Sequence, residues 1–202
     1  MRTGAAKLPP SPGKAAEAGT RARLIATAEA LVRKRGYAGF SYADVADAAG
    51  LRKASIHYYF PTKEDLGVAL IESYRKRYDA ALAAIWEESE LAAVRISAYA
   101  RLYREAFGQD EGCLCGVLAC ERDILPRRLR DGITQFFEAH LSWLERILEA
   151  GIRSGTVRRD IDACAHAKLV LSALQGALML GHISGSAEGL DATAASIVRS
   201  LE

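Results

Sequence analysis

The sequence predicts an all-α fold, with a three-helix N-terminal domain containing a helix-turn-helix and a larger helical domain behind it. Apolar residues recur at helical spacing through most of the chain, and no segment alternates convincingly as a strand would. Ser41 precedes Asp44 by three residues, and Thr62 precedes Asp65 by three, the spacing of helix-start capping patterns. Charge is also uneven. Residues 1–63 hold 11 Lys and Arg against 4 Asp and Glu, a net of +7, whereas residues 64–202 hold 16 against 21, a net of −5.

The elements follow in order. Residues 1–19, MRTGAAKLPPSPGKAAEAG, are broken by Pro, Gly and Lys, and read as a loose, weakly basic tail. A nucleic-acid-touching arm is the other reading of this tail. It lacks the apolar core of a signal peptide, so a cytoplasmic protein is expected. Residues 20–66 form the first domain and residues 67–202 the second. The opening helix ends at Arg35-Gly36-Tyr37. Ser41 caps the next helix, in which Val45, Ala46 and Ala49 recur at helical spacing. Gly50 stops it, because glycine alone takes positive φ cheaply, and Leu51 plugs the turn into the core. Arg52 to Tyr59 form a second short helix with Ile56 facing inward, ended by Phe60-Pro61. Thr62 and Asp65 then open a long helix running from Glu64 to about Trp86.

The exposed face of the second short helix carries Arg52, Lys53, Ser55, His57, Tyr58 and Tyr59. Cations and hydrogen-bonding aromatics suit a phosphate-lined groove, since Arg, Lys and Ser reach base edges or phosphates and Tyr donates to phosphate. Ser41, at the head of the preceding helix, is counted with them. The second helix of a helix-turn-helix lies in the major groove, so double-stranded DNA is the expected partner. The blander reading is that Tyr58 and Tyr59 only pack the small domain. The basic N-terminal third would supply a salt-dependent attraction to phosphate, and the acidic remainder would avoid it. Arg75, Lys76 and Arg77 either extend the basic face or form a solvated run.

The residues from about Arg21 to Tyr74 resemble the N-terminal domain of TetR-family transcriptional repressors. Arg35-Gly36-Tyr37, Phe40-Ser41-Tyr42, Asp44-Val45-Ala46, Ala49-Gly50-Leu51, Ser55-Ile56-His57-Tyr58-Tyr59-Phe60 and Lys63-Glu64-Asp65-Leu66 carry the resemblance. It implies a DNA-binding repressor, a homodimer, and a C-terminal domain that binds an effector. It also implies that Lys63, at the start of the fourth helix, clamps a phosphate. The sequence departs from the family pattern at His57, where Tyr is usual, and at Tyr59, where His is frequent. Arg52 stands where Ser or Thr is frequent, which leaves that helix without a good side-chain cap. The role transfers; the target sequence does not.

The second domain stays helical. Helices are expected over Val94 to Phe107, Cys113 to Ile124, Arg127 to about Ile152, Asp162 to Ile183 and Leu190 to Leu201. Leu169, Ser172, Ala173, Gly176, Ala177 and Leu180 make a face of small residues mixed with leucine, and Ala194, Ile197, Val198 and Leu201 make a second stripe. A helix apolar this far round is covered on more than one side, by its own subunit or by a second copy. The dimer reading places Leu169, Ser172, Ala173, Gly176, Leu180, Ile197 and Val198 in the interface. The resemblance implies a four-helix bundle built from these two helices of each subunit.

Tyr99, Tyr103, Phe107, Phe136, Phe137, His140 and Trp143 are candidates for an effector pocket, although an aromatic stripe at helical spacing also fits plain core. His140 and His166 are candidates to orient a polar ligand. Cys113, Cys115 and Cys120 cluster in GCLCGVLACE, with Cys164 far along the chain. On one helix Cys113 and Cys120 share a face about 10 Å apart, too far for a disulfide, which needs Cα atoms within about 7 Å. The spacing does not match a zinc pattern, and no metal or cofactor is expected. Cys113 follows Gly112 at an expected helix N-terminus, where the dipole favours thiolate, so it joins the pocket set as a candidate sensor of electrophiles or oxidants. Some TetR-family members resemble it in a reactive Gly-Cys-Leu segment. Cys is also a common small core residue. No run of about 18 apolar residues suggests a membrane span. No phosphate loop, metal-ligand helix or acid pair suggests an enzyme. The rival reading is an effector-independent, architectural DNA-binding dimer.

Overall fold

The computed structural model describes residues 12–109 and 112–202. Nine α-helices run in order among them: α1 Pro12–Arg35, α2 Tyr42–Ala49, α3 Lys53–Tyr59, α4 Lys63–Glu88, α5 Ala92–Gly108, α6 Leu114–Ala119, α7 Arg127–Ser154, α8 Ala163–Ser184 and α9 Glu188–Arg199. The all-helical expectation holds. α1 starts within the segment expected to be a loose tail. Pro12 suits the first helical position, where the missing N–H costs nothing, and the Ala-rich run behind it propagates the helix. Residues 1–11 of the expected tail lie outside the described residues. The Cys-bearing helix is shorter than expected: α6 covers six residues and gives way to turns after Ala119.

α1, α2 and α3 close around Leu24, Ala28, Val32, Val45, Ile56 and Phe60, and the first half of α4 completes this core with Leu66 and Leu70. Each of these side chains except Ala28 is worth about 1.5–3 kcal/mol of apolar burial. The second half of α4 turns Leu82 and Ile85 into a bundle with α5 and α7, against which α8 and α9 pack. One helix therefore belongs to both domains. α6 lies between α1 and α7. α8 is long and apolar enough to cross a membrane by length and composition, which the expectation of no apolar run overlooked. Here it packs against α5, α7 and α9.

An ion cluster around the buried Glu29 joins α1 to α4, with Arg77 reaching it from the half-exposed side. The Glu29 carboxylate accepts from Arg33 at 2.6 Å and from Arg77 at 2.5 Å. The Tyr74 ring faces both guanidiniums, at 5.4 Å from Arg33 and 5.3 Å from Arg77. Arg75 bonds Gln135 at 2.6 Å. Two of the three cations at 75–77 thus serve the protein interior and the α7 contact.

Most of the aromatic stripe is solid core. Tyr99, Tyr103, Phe136, His140 and Trp143 are all buried. Their polar atoms largely satisfy one another: His140 Nδ1 meets the Tyr99 hydroxyl at 2.8 Å, which meets the Tyr103 hydroxyl at 3.2 Å, and Trp143 Nε1 donates to the Leu82 carbonyl at 3.2 Å. Helical spacing turns Tyr99, Tyr103, Phe136 and His140 into the interior, while Trp143 also edges a cavity between α4 and α7 that Leu82, Trp86 and Arg146 line.

Burial pushes His140 down to about 4 from its ordinary 6.5, because the charged imidazolium loses its water. The unfolded chain therefore binds a proton between pH 6.5 and 4 that the folded chain refuses. Stability is complete above pH 6.5 and falls as pH drops through that window. The loss between pH 7 and pH 5 should be about 2 kcal/mol from this group. Urea unfolding at the two pH values checks it: His140→Gln, which keeps an acceptor for Tyr99 and cannot titrate, should remove that loss. An unchanged loss would assign it to another group.

Candidate nucleic-acid interface

The reading head is built by local chemistry. Ser41 caps α2 in a reciprocal box: its hydroxyl accepts from Asp44 N–H at 3.4 Å, and its own N–H donates to the Asp44 carboxylate at 2.7 Å. Those Ser41 hydrogen bonds hold the Asp44 carboxyl below the usual carboxylate range, with Arg35 adding to the effect from 3.0 Å. Gly50 ends α2 at φ 63°. Arg23 reaches from α1 to the Ala49 carbonyl at 2.8 Å, placing a cation on the negative end of α2. Leu51 packs against the core, as the turn requires.

α3 is anchored by Ile56, which is fully buried. Arg52 stands at its N-cap with no side-chain cap bond, as the sequence implied. Arg52, Lys53, His57 and Tyr58 are exposed; Ser55 and Tyr59 are half-buried. Tyr58 is 73% exposed, with its ring edge-on to Tyr59 at 5.1 Å. Packing of the small domain does not use it. His57 lies 4.7 Å from Tyr42, ring to ring, and its Nδ1 sits 3.3 Å from the Pro61 carbonyl. The Tyr42 hydroxyl donates to the Phe60 carbonyl at 2.8 Å, and burial pushes its pKa up to about 12. Tyr42 is therefore a fixed floor beneath His57.

Lys63 is at the head of α4 but is turned inward. Its Nζ donates to the Phe40 carbonyl at 2.5 Å and sits over the rings of Phe40 at 4.3 Å and Tyr37 at 4.6 Å. Burial lowers its pKa, offset in part by the Glu121 carboxylate. To touch a phosphate it must leave this cradle.

A cavity of about 420 Å³ opens between α6, α7 and α8. Its lining includes Cys113, Cys120, Phe137, Gln175, Met179 and His182. Of the candidate effector residues, Cys113 and Phe137 line it, while Phe107 lies alongside, 5.3 Å from the His182 ring. Gln175 was missed; it is the lone amide in an apolar helix, and it donates to Tyr103 at 3.4 Å. His166 is elsewhere, with its Nε2 3.1 Å from the Ser200 hydroxyl. Cys113 caps α6 and is buried, with its sulfur 3.7 Å from the Tyr74 hydroxyl. α6 is a turn and a half long, shorter than the helix expected behind Cys113. All four cysteines are free thiols, Cys115 buried and Cys120 and Cys164 exposed. Burial pushes the Cys115 thiol up. No group of three or more His, Cys, Asp or Glu converges to hold a metal among the described residues.

On the candidate dimer face Leu169, Ser172 and Leu180 are exposed, and Ala173, Gly176 and Val198 are half-buried. Ile197 is buried within the subunit, at the floor of a depression that it lines together with Leu169 and Ala173. Met179 and Ile183, the latter 88% exposed, add to the apolar surface of α8.

The Ser41 box makes a stability prediction independent of DNA. Ser41→Ala should destabilise the protein by about 1 kcal/mol in urea unfolding, and Ser41→Thr should recover most of it. Equal stability of Ser41→Ala and the parent would mean that the box contributes nothing.

This geometry has relatives. Residues 24–70 match the family model described as bacterial regulatory proteins, tetR family, and residues 90–197 match the tetracyclin repressor-like C-terminal domain. The transcriptional repressor NemR of Escherichia coli (strain K12) is 28% identical over 182 residues, covering 88% of this chain and 92% of NemR. The transcriptional repressor DhaR of Mycobacterium sp. (strain GP1) is 25% identical over 173 residues, covering 85% and 86%. A TetR-family regulator from Agrobacterium tumefaciens superposes with a TM-score of 0.87 at 27% identity, over 91% of this chain and 98% of that one. The reduced form of E. coli NemR superposes with a TM-score of 0.81 at 26% identity, over 91% and 97%. With both domains matched and the reading head in place, the chain belongs to the tetR family of bacterial regulatory proteins.

Proposed function

We propose that this protein is a homodimeric transcriptional repressor, released from a near-palindromic operator when a small molecule fills the α6–α8 cavity or an electrophile modifies Cys113. The observation that carries the DNA reading is α3 itself. Ile56 and Tyr42 hold it rigid from below, while Arg52, Lys53, His57 and an unpacked Tyr58 face solvent. A dimer presents two such helices to major grooves about one helical turn apart, near 34–36 Å. The apolar surface of Leu169, Met179, Leu180 and Ile183 on α8 supports pairing through that helix.

The cavity favours an apolar ligand, with Gln175 and His182 as its polar contacts and two thiols on its wall. An electron-poor alkene or quinone entering it meets Cys113. Sulfur bonds to one alkene carbon, the π pair moves toward the carbonyl, and the thiol proton ends on the other carbon. Similarity to NemR, of which a reduced form has been solved, supports a redox-dependent response. Moving the population from 99:1 bound to 1:99 takes about 5.5 kcal/mol of differential binding. Smaller shifts still regulate.

Footprinting of the reduced protein on the DNA flanking its gene tests this. A protected near-palindrome should be lost after mild quinone treatment and kept in Cys113→Ser. Protection that survives treatment would leave a non-covalent cavity ligand. Protection without sequence preference, in competition with random DNA, would favour the architectural binder. Tyr58→Ala should weaken operator binding by about tenfold, ~1.4 kcal/mol, at unchanged melting temperature. Parental affinity in that variant would remove Tyr58 from the contact set.

A further inference from the structure

The segment from Gly112 to Glu121 touches the cavity and the DNA-reading domain at once. Cys113, Gly116, Val117 and Cys120 line the cavity. The residues bounding them reach the other way. The Gly112 carbonyl accepts from the Arg33 guanidinium of α1. The Glu121 carboxylate accepts from Tyr37 N–H and, at 3.3 Å, from Ala38 N–H, the turn that follows α1. Two successive backbone N–H groups after a left-handed residue make a ready anion seat. Gly36 supplies that residue at φ 73°, and a Cβ there would lie 2.5 Å from Glu121 Oε1. The glycine thus allows both the turn and the approach of the acid.

The same turn carries the cradle of Lys63. Tyr37 and Phe40 supply the rings beneath its ammonium, and Phe40 supplies the carbonyl. Glu121 therefore holds, through two backbone bonds, the platform on which Lys63 rests. α6 itself is six residues long without a side-chain cap, and its buried Leu114, Cys115 and Leu118 lie off the cavity lining, so a push from the cavity side moves the segment as one piece.

We propose that Glu121 is a positioning residue that transmits occupancy of the cavity to the DNA-reading helices, by leaving the turn at Gly36 to Ala38 when the segment above it shifts. This rests on the cavity being the effector site. A group lodged against Val117 and Cys120 pushes the segment from the cavity side, and Glu121, the next residue along, withdraws. The turn then loses its anion, and α2, α3 and Lys63 lose a fixed reference to the second domain.

Hydrogen exchange of the full-length protein, read on a peptide covering residues 36–41, tests the proposal without reference to DNA. N-ethylmaleimide is the probe: a cavity thiol adds across its double bond, sulfur on one carbon and the proton on the other, with the site confirmed by mass. Exchange in that peptide should rise about tenfold in the adduct. Val117→Trp, which fills the cavity with no reagent, should do the same. Glu121→Ala should exchange fast before treatment and gain nothing after it, and its operator affinity should stop responding to the adduct, with Glu121→Gln intermediate. Unchanged exchange in both the adduct and Val117→Trp overturns the proposal. If DNA is released while exchange stays unchanged, the proposed repressor mechanism survives and the Glu121 route falls. If exchange rises while DNA stays bound, the Glu121 route survives and release through the cavity falls.

Discussion

One carboxylate, that of Glu29, fixes how the two halves of this molecule meet. It is buried and accepts from Arg33 on its own helix and from Arg77 on α4, with the Tyr74 ring against both cations. A buried acid of this kind does little for net stability, since the desolvation of the charges consumes most of the attraction. Its effect is on geometry. Sliding α4 by one residue along α1 would break the Arg77 bond and leave Glu29 with Arg33 alone, so the pair adds a directional tie to the apolar packing. α4 then fixes everything beyond, because Leu66 and Leu70 close the reading head and Leu82 and Ile85 enter the bundle. Arg128, at the start of α7, adds a surface tie at 2.9 Å to Asp65 in the first turn of α4.

The reading head was legible in the sequence because its determinants are local. A hydroxyl and an acid three residues apart, a glycine at a helix end and an apolar Ile56 opposite a polar face each act within one turn of chain. Both capping boxes and the positive φ of Gly50 stand where those patterns place them. The start of α1 was not legible. Pro, Gly and Lys give that stretch the makeup of loose chain, yet a proline in the first turn is compatible with a helix, and composition alone does not separate the two.

The candidate site in the second domain was half legible. Spacing correctly turns Tyr99, Tyr103, His140 and Trp143 inward, but periodicity says nothing about whether the interior is filled. The interior there holds a chain of two hydroxyls, one imidazole and the Gln175 amide that bond each other across α5, α7 and α8, a tertiary fact. The same holds for Ile197. An apolar stripe marks the covered side of a helix and leaves open which molecule covers it. Glu121 gave no signal of its own, since an acid after a short apolar run is common on any surface. The one hint was Gly36, because a left-handed turn leaves N–H groups that need an acceptor from somewhere.

Lys63 connects these observations. In the structure it is half-buried, bonded to a carbonyl and held over two rings, so it is not waiting in solvent for a phosphate. Reaching DNA would exchange that cradle for a phosphate oxygen, a trade between two favourable states that carries a small net energy. A trade near balance is easily tipped by whatever moves the cradle. On the proposed reading, the Glu121 contact with Tyr37 and Ala38 is what moves it, from about one residue beyond the cavity wall. Linkage then runs both ways: if filling the cavity loosens the turn and weakens DNA binding, DNA binding must disfavour filling of the cavity by the same factor. Effector affinity would therefore be lower on operator-bound protein than on free protein, by the ratio in which the effector weakens the operator complex.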